Sequence, residues 1–185
     1  MNSKIAAIYQ EFFPNDKVVV GDAHQYLLDH FPEFDFIWSS PPCPTHSRTN
    51  TFLHAQGVIR YPDMKLYEEI IFLKQWFKGK FCVENVISYY KPLIRPALID
   101  RHYFWTNFMI SNFKIKAARP NNICNVNKST RGPPKDDMLA LEEYHGIKIS
   151  KKVKNRRILL RNCVHPELGL HILSESKRDV QGELF

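Results

Sequence analysis

Glycine is scarce in this 185-residue chain: seven residues, none in a G-x-G arrangement. A glycine-rich turn that cradles a nucleotide-like cofactor is therefore excluded from within it. Close cysteine pairs are lacking too. Cys43, Cys82, Cys124 and Cys163 are spread evenly with no C-x-x-C spacing, which argues against a disulfide framework or a zinc ribbon. Cys43 and His46 form C-x-x-H, but no second half-site follows at zinc-finger spacing, and no metal is expected. No apolar run approaches the roughly 20 residues that span a membrane. The opening MNSKIAAIYQEFF has no basic start, apolar middle and small-residue cleavage site. A cytoplasmic location is the resulting expectation.

What is present fits one globular domain with a real core. Apolar residues make up 44% and charged residues 24% of the chain, ordinary values for a soluble protein. The formal net charge is +7. Such a balance suits a polyanionic partner, and also serves solubility alone. The stretch from Lys114 to Arg157 carries twelve lysines and arginines against four acids, so the excess is concentrated in one region.

Hydrophobic periodicity orders the elements. Residues 3–12 (SKIAAIYQEF) predict an amphipathic helix, with Ile5, Ile8, Tyr9 and Phe12 at helical spacing. KVVVGDA reads as a buried strand ended by Gly21, HQYLLDHF as a short helix, and FDFIWSS as a second strand. From Thr45 to Pro62 the chain lacks periodicity, which predicts a long loop. Asp63 caps a predicted helix through Trp76, with Leu66, Ile70, Leu73 and Phe77 on one face. KFCVENV and RHYFWTNFMI follow as strands, and MLALEEYHGI as a helix ended by Gly146. Alternating strands and helices predict a mostly parallel α/β sheet, whose ligands bind beyond the carboxyl ends of the strands. Cys43 and Glu84 fall at such ends.

The stretch FIWSSPPCPTHSR, Phe36 to Arg48, places a cysteine directly behind two prolines. Pro41 and Pro42 fix φ and remove backbone donors, so the turn is stiff and Cys43 is held in one orientation. Reactive thiols sit partly exposed in electropositive surroundings, and His46 and Arg48 are expected to lower this one. The bland reading is a small buried hydrophobe. Glu84 and Asn85 close an apolar strand where polar residues are out of pattern. A carboxyl there is either a proton donor with a raised pKa or the cap of the next turn. Arg101 opens the strand after that, an arginine placed to grip a carbonyl.

The ordered set PPC, ENV and a strand-opening arginine resembles the DNA cytosine-5 methyltransferase family. The resemblance covers nearly the whole chain. It implies an α/β fold: a Rossmann-like class I methyltransferase sheet with helices on both faces, lacking the first strand-turn unit, plus a small target-recognition excursion. Residues 1–113 would form the partial catalytic core, 114–155 the basic recognition region, and 156–185 a segment returning to the core. Cys43 is then the nucleophile that adds to carbon 6 of cytosine, Glu84 the acid at ring nitrogen 3, and Arg101 the grip on the carbonyl oxygen. S-adenosylmethionine is the implied cofactor, and Asp22, Ala23, Pro42, Leu66, Asn162 and Val164 are its expected contacts. The implied substrate is double-stranded DNA with the target cytosine flipped out of the stack. Ser47, Arg48, Arg60 and Asn85 are expected to meet the DNA and the base. RNCVHPELGLHI resembles the family's last motif, with Arg161 where a glycine is usual.

The pattern departs in three places. The family's Phe-x-Gly-x-Gly turn and the acidic residue that grips the cofactor ribose are missing. Ala97 and Ile99 stand where Gln and Arg usually precede Arg101, and the recognition region is short. The expectation is therefore an intact substrate half and an incomplete cofactor half. Two readings follow: a truncated chain, or one subunit of a split enzyme whose partner polypeptide supplies the Gly-rich turn. Alternatives of another class are a non-catalytic DNA-binding remnant and an amino-methyltransferase of DNA, which SSPPC matches except at the last position.

Overall fold

The computed structural model describes residues 3–117, 120 and 135–178. Those residues group into two compact units, one built on the chain up to Asn112 together with Glu175 onward, the other on Phe113–Ser174. The residues from 156 to 174 thus group with the stretch before them. Much of the basic region, residues 118–119 and 121–134 with Cys124, lies outside the described residues.

The first unit is mixed α/β. Its elements are α1 (Ser3–Phe12), α2 (Ala23–His30), β1 (Phe36–Ser39), α3 (Asn50–Ala55), α4 (Lys65–Trp76), β2 (Lys80–Val86), β3 (Ala97–Ile99) and β4 (His102–Thr106). The strands form an open sheet in the order β1-β2-β4-β3. Only β1 and β2 are parallel; β4 runs antiparallel to both β2 and β3. The expected mostly parallel sheet is corrected here, and the reason is chain length. Parallel neighbours need a crossover of a dozen or more residues. α3 and α4 provide one between β1 and β2, whereas β3 and β4 are joined by Asp100 and Arg101 alone. Asp100 takes φ 53°, a left-handed conformation that aspartate tolerates.

The core lies on one face of the sheet. From α4, Leu66, Tyr67, Ile70 and Leu73 pack with Phe77 onto Ile37, Phe81, Val83 and Trp105. This is the apolar stripe predicted for that helix. The N-cap position falls on Met64, which makes no side-chain cap bond, and not on the expected Asp63 one residue earlier, which accepts from the Lys65 amide at 3.1 Å. α4 also buries Glu69, whose carboxylate accepts from Ser39 Oγ at 2.7 Å and meets His24 Nδ1 at 3.1 Å. One satisfied carboxylate thereby ties α2, α4 and the end of β1 together. At the other end of the sheet, Asn107 accepts from the Phe81 amide at 3.0 Å and donates to the Gly79 carbonyl at 2.8 Å. The Lys80 amide donates to Asp35 at 2.9 Å, which fixes where β2 starts against β1.

Two further expectations are corrected. KVVVGDA forms no strand: residues 17–20 are unassigned, and Val19 and Val20 are 42% and 51% exposed. Among the described residues nothing pairs with the outer edge of β1, so this apolar segment has no neighbouring strand to join. α1 forms over the predicted residues, yet of them only Ala6 is buried, and Ile5, Tyr9 and Phe12 stay exposed.

The second unit contains α5 (Lys135–His145), α6 (Arg156–Arg161) and most of α7 (Pro166–Ser176). Leu141, Ile149 and Leu160 form its small core. Gly146 ends α5 at φ 64°, the left-handed cap expected of it. No described helix is long and apolar enough to cross a membrane.

Candidate active site

Parallel pairing of β1 with β2 brings their carboxyl ends to one edge of the sheet. Antiparallel pairing sets the start of β4 against the end of β2, with His102 opposite Val86. The loop carrying Cys43, the ENV segment and the Asp100-Arg101 turn therefore meet at the same edge.

The PPC loop is held from several sides. Cys43 offers its carbonyl to the amides of His46 at 3.0 Å and Ser47 at 3.1 Å, closing a tight turn behind the prolines. Asn85 Nδ2 donates to the Pro41 carbonyl at 3.0 Å, and its Oδ1 accepts from the Val86 amide at 3.0 Å. Asn85 was expected to meet the base, but it is 2% exposed and serves to clamp the loop to β2. Asn50 donates to Pro44 at 2.8 Å, and the Tyr89 amide donates to the His46 carbonyl at 3.1 Å. Residues 45–62 are accordingly not an unstructured loop. They contain α3, and Arg60 accepts from Tyr89 through its carbonyl at 2.8 Å.

Glu84 is 8% exposed. Burial raises its carboxyl above the ordinary range, opposed by a hydrogen bond from Ser40. This is the environment expected of a proton donor. Cys43 is half-buried, and burial pushes its thiol up, with the nearby Glu84 carboxylate acting in the same direction. The expectation that His46 and Arg48 lower the thiol is thus overturned. His46 is 1% exposed, its ring Nδ1 lies 2.7 Å from Tyr90 Oη, and burial lowers its own pKa, so it carries no useful charge toward Cys43. Arg48 is exposed and is not among the groups that move the thiol.

Arg101 sits in the turn ahead of β4, not within the strand, and its Nε is 3.9 Å from Asp100 Oδ2. Ser47 pairs with Ser88 in an isolated bridge and accepts from the Thr49 hydroxyl at 2.9 Å, a local structural role. Arg60 is exposed.

The expected cofactor contacts are scattered by role. Asp22 is the N-cap of α2, accepting from the amides of His24 at 2.9 Å and Gln25 at 3.3 Å, and those bonds lower its pKa. Ala23 is the first residue of that helix, Pro42 is exposed, and Leu66 is 2% exposed inside the core. Asn162 caps the end of α6 in the second unit, and Val164 follows it. Within the first unit the expected contacts do not make a complete site for S-adenosylmethionine: Leu66 is spent on packing and the Asp22 carboxylate on its own helix. Among the described residues no group of three or more His, Cys, Asp or Glu is placed to hold a metal ion.

One neighbour escaped the sequence reading. His102 Nε2 lies 3.7 Å from Glu84 Oε1, with both side chains about 10% exposed. The strand alternation of β2 and β4 would have placed the two on one face, had their pairing been known. Comparison with protein-family models, with curated proteins and with solved structures finds no match for this chain.

Proposed function

We propose that this chain is the substrate half of a DNA cytosine-5 methyltransferase with a Rossmann-like sheet. The observation that carries the reading is a buried Glu84 carboxyl whose charge acts on the half-buried Cys43 thiol, both at the carboxyl ends of two parallel strands. Carbon 5 of cytosine is a poor nucleophile unless carbon 6 is first attacked. The Cys43 thiolate forms a bond to carbon 6, and the ring electrons of the carbon 5–carbon 6 double bond move toward carbon 5 and the ring nitrogen-3 side. Glu84 gives its proton to nitrogen 3, neutralising the charge that develops there. Arg101 holds the carbonyl oxygen at position 2. Once carbon 5 has taken up an electrophile from outside this chain, a solvent proton or a donated methyl group, it loses its original hydrogen as a proton. The double bond re-forms, the thiolate leaves, and nitrogen 3 returns its proton to Glu84.

No step through the methyl donor is assigned to this chain, because its residues do not assemble the donor's site. A partner polypeptide bearing the glycine-rich turn fills that role. Two features support such a partner: the outer edge of β1, which pairs with no strand among the described residues, and the exposed apolar side chains of Ile5, Tyr9, Phe12, Val19 and Val20. Parallel sheets are normally covered on both faces and continued at such an edge.

The elevated thiol favours a second reading, a DNA-binding remnant without chemistry. Hydrogen exchange separates the two without any methyl donor. Reversible addition of Cys43 makes carbon 5 accept a solvent proton and lose its original one. Duplex DNA tritiated at cytosine carbon 5 should release label to water with the wild-type chain and not with Cys43→Ser. Binding of the same DNA without release by either protein would establish the remnant.

A further inference from the structure

β2 and β4 pair antiparallel with Val86 opposite His102 and Glu84 opposite Phe104. Directly opposed residues share a face, and so do residues two apart on one strand. Glu84 and His102 are therefore diagonal neighbours on the face turned away from the α4 core, which accounts for the 3.7 Å between Oε1 and Nε2. Their surroundings are apolar. Cys82 and Phe104, on the same face, are 0% and 1% exposed, and the Phe104 ring meets the rings of His102 and Trp38 edge-on. Among the described residues, the polar and titratable groups that act on Glu84 or feel its charge include the Ser40 hydroxyl and Cys43 thiol from the loop after β1, and Cys82 on β2 itself. Asp100 and Arg101 precede His102 in the turn.

We infer that Glu84 and His102 work as one proton-sharing pair, with His102 the positioning residue that aims the Glu84 carboxyl and steadies it when its proton is lent to a bound base. A lone charge on either group is costly in such surroundings, whereas an imidazole N–H beside a carboxylate offsets the charge as it forms. On the methyl-transfer reading, from which this role follows, the Glu84 proton moves to ring nitrogen 3, His102 Nε2–H donates to the carboxylate left behind, and the proton returns to Glu84 as the thiolate leaves. Nothing is consumed and no outside acid is needed.

The pair is tested by titration of the free chain, without DNA or methyl donor. Glutamate carboxyl carbons are labelled and followed by NMR from about pH 4 to about pH 9, a window that brackets both side chains. The Glu84 signal is identified by its loss in Glu84→Gln. The expected result is a Glu84 midpoint in His102→Leu higher than in the wild type by about one pH unit, a tenfold change in proton affinity. If His102→Leu does not fold, the imidazole of His102 is followed in Glu84→Gln, where its midpoint should fall by a similar amount. Unchanged midpoints in the folded variants would overturn the pair. Coupled titration in a chain that never exchanges the carbon-5 hydrogen would refute the methyl-transfer role and leave the pair standing. Exchange with independent titrations would refute the pair alone.

Discussion

A thiol held above its ordinary range is a weak nucleophile in the resting chain. Cys43 is expected to react with iodoacetamide at neutral pH more slowly than an exposed cysteine, because the thiolate fraction governs the rate. Peptide mapping after timed alkylation measures this. Glu84→Gln should speed the reaction, since the neighbouring carboxylate is one of the groups that raise the thiol; equal rates in the two proteins would contradict that coupling. Glu84 itself makes stability depend on pH. Its folded value lies above the unfolded one, so its stabilising contribution is complete below the unfolded value and is lost as pH rises through the folded value. Urea midpoints of wild type and Glu84→Gln, compared from about pH 4 upward, should therefore drift apart with rising pH in favour of the glutamine variant. A gap independent of pH would show that Glu84 titrates as it does in the unfolded chain. Cys43 and Glu84 were both legible in the sequence as residues out of pattern. The raised Glu84 carboxyl was legible as one of two readings, but the raised Cys43 thiol was not, because burial is a property of the packed surroundings, which neighbours in sequence do not reveal.

At the scale of elements, the Asn85 clamp links the proline-rich loop to β2. Asn85→Ala removes two hydrogen bonds from a buried position and should lower stability by about 1–3 kcal/mol, read as a fall in the urea midpoint. It should also speed Cys43 alkylation by loosening the loop; a stability loss with no change at Cys43 would mean that the clamp does not set the thiol's surroundings. Gly79 offers a sharper case. A Cβ there would press into the Asp35 carbonyl and the Phe77 ring, so Gly79→Ala should destabilise by about 3 kcal/mol, the upper range for overpacking. α1, α4, β2 and α5 were readable because each carries a long period or a recognisable cap. β3 was not, since three residues (Ala97–Ile99) hold no period and gain their strand identity only by pairing with β4. KVVVGDA fails in the opposite way: its propensity is strong, but a strand exists only where a neighbour accepts its hydrogen bonds. The six-residue α3 was hidden for a similar reason, held by the His54 ring edge-on to Tyr89 and by the Asn50 bond to Pro44 and not by an apolar face.

At the scale of the molecule, the net charge of +7 means that, on the proposed function, binding of duplex DNA would be dominated by phosphate contacts. Affinity should fall by at least about tenfold between 50 and 200 mM salt, measurable by fluorescence anisotropy; salt-independent binding would remove DNA as the partner. The claim on which the account turns is that Cys43 adds to carbon 6 of a cytosine. Replacing carbon 5 of the target by nitrogen makes carbon 6 more electrophilic, so duplex DNA containing 5-azacytosine can trap the addition without a methyl donor. Mass spectrometry of the chain after incubation should show the oligonucleotide attached at Cys43, and no attachment in Cys43→Ser. A wild-type chain that binds this DNA yet gains no covalent mass, or gains it at Cys82 or Cys163, would contradict the account.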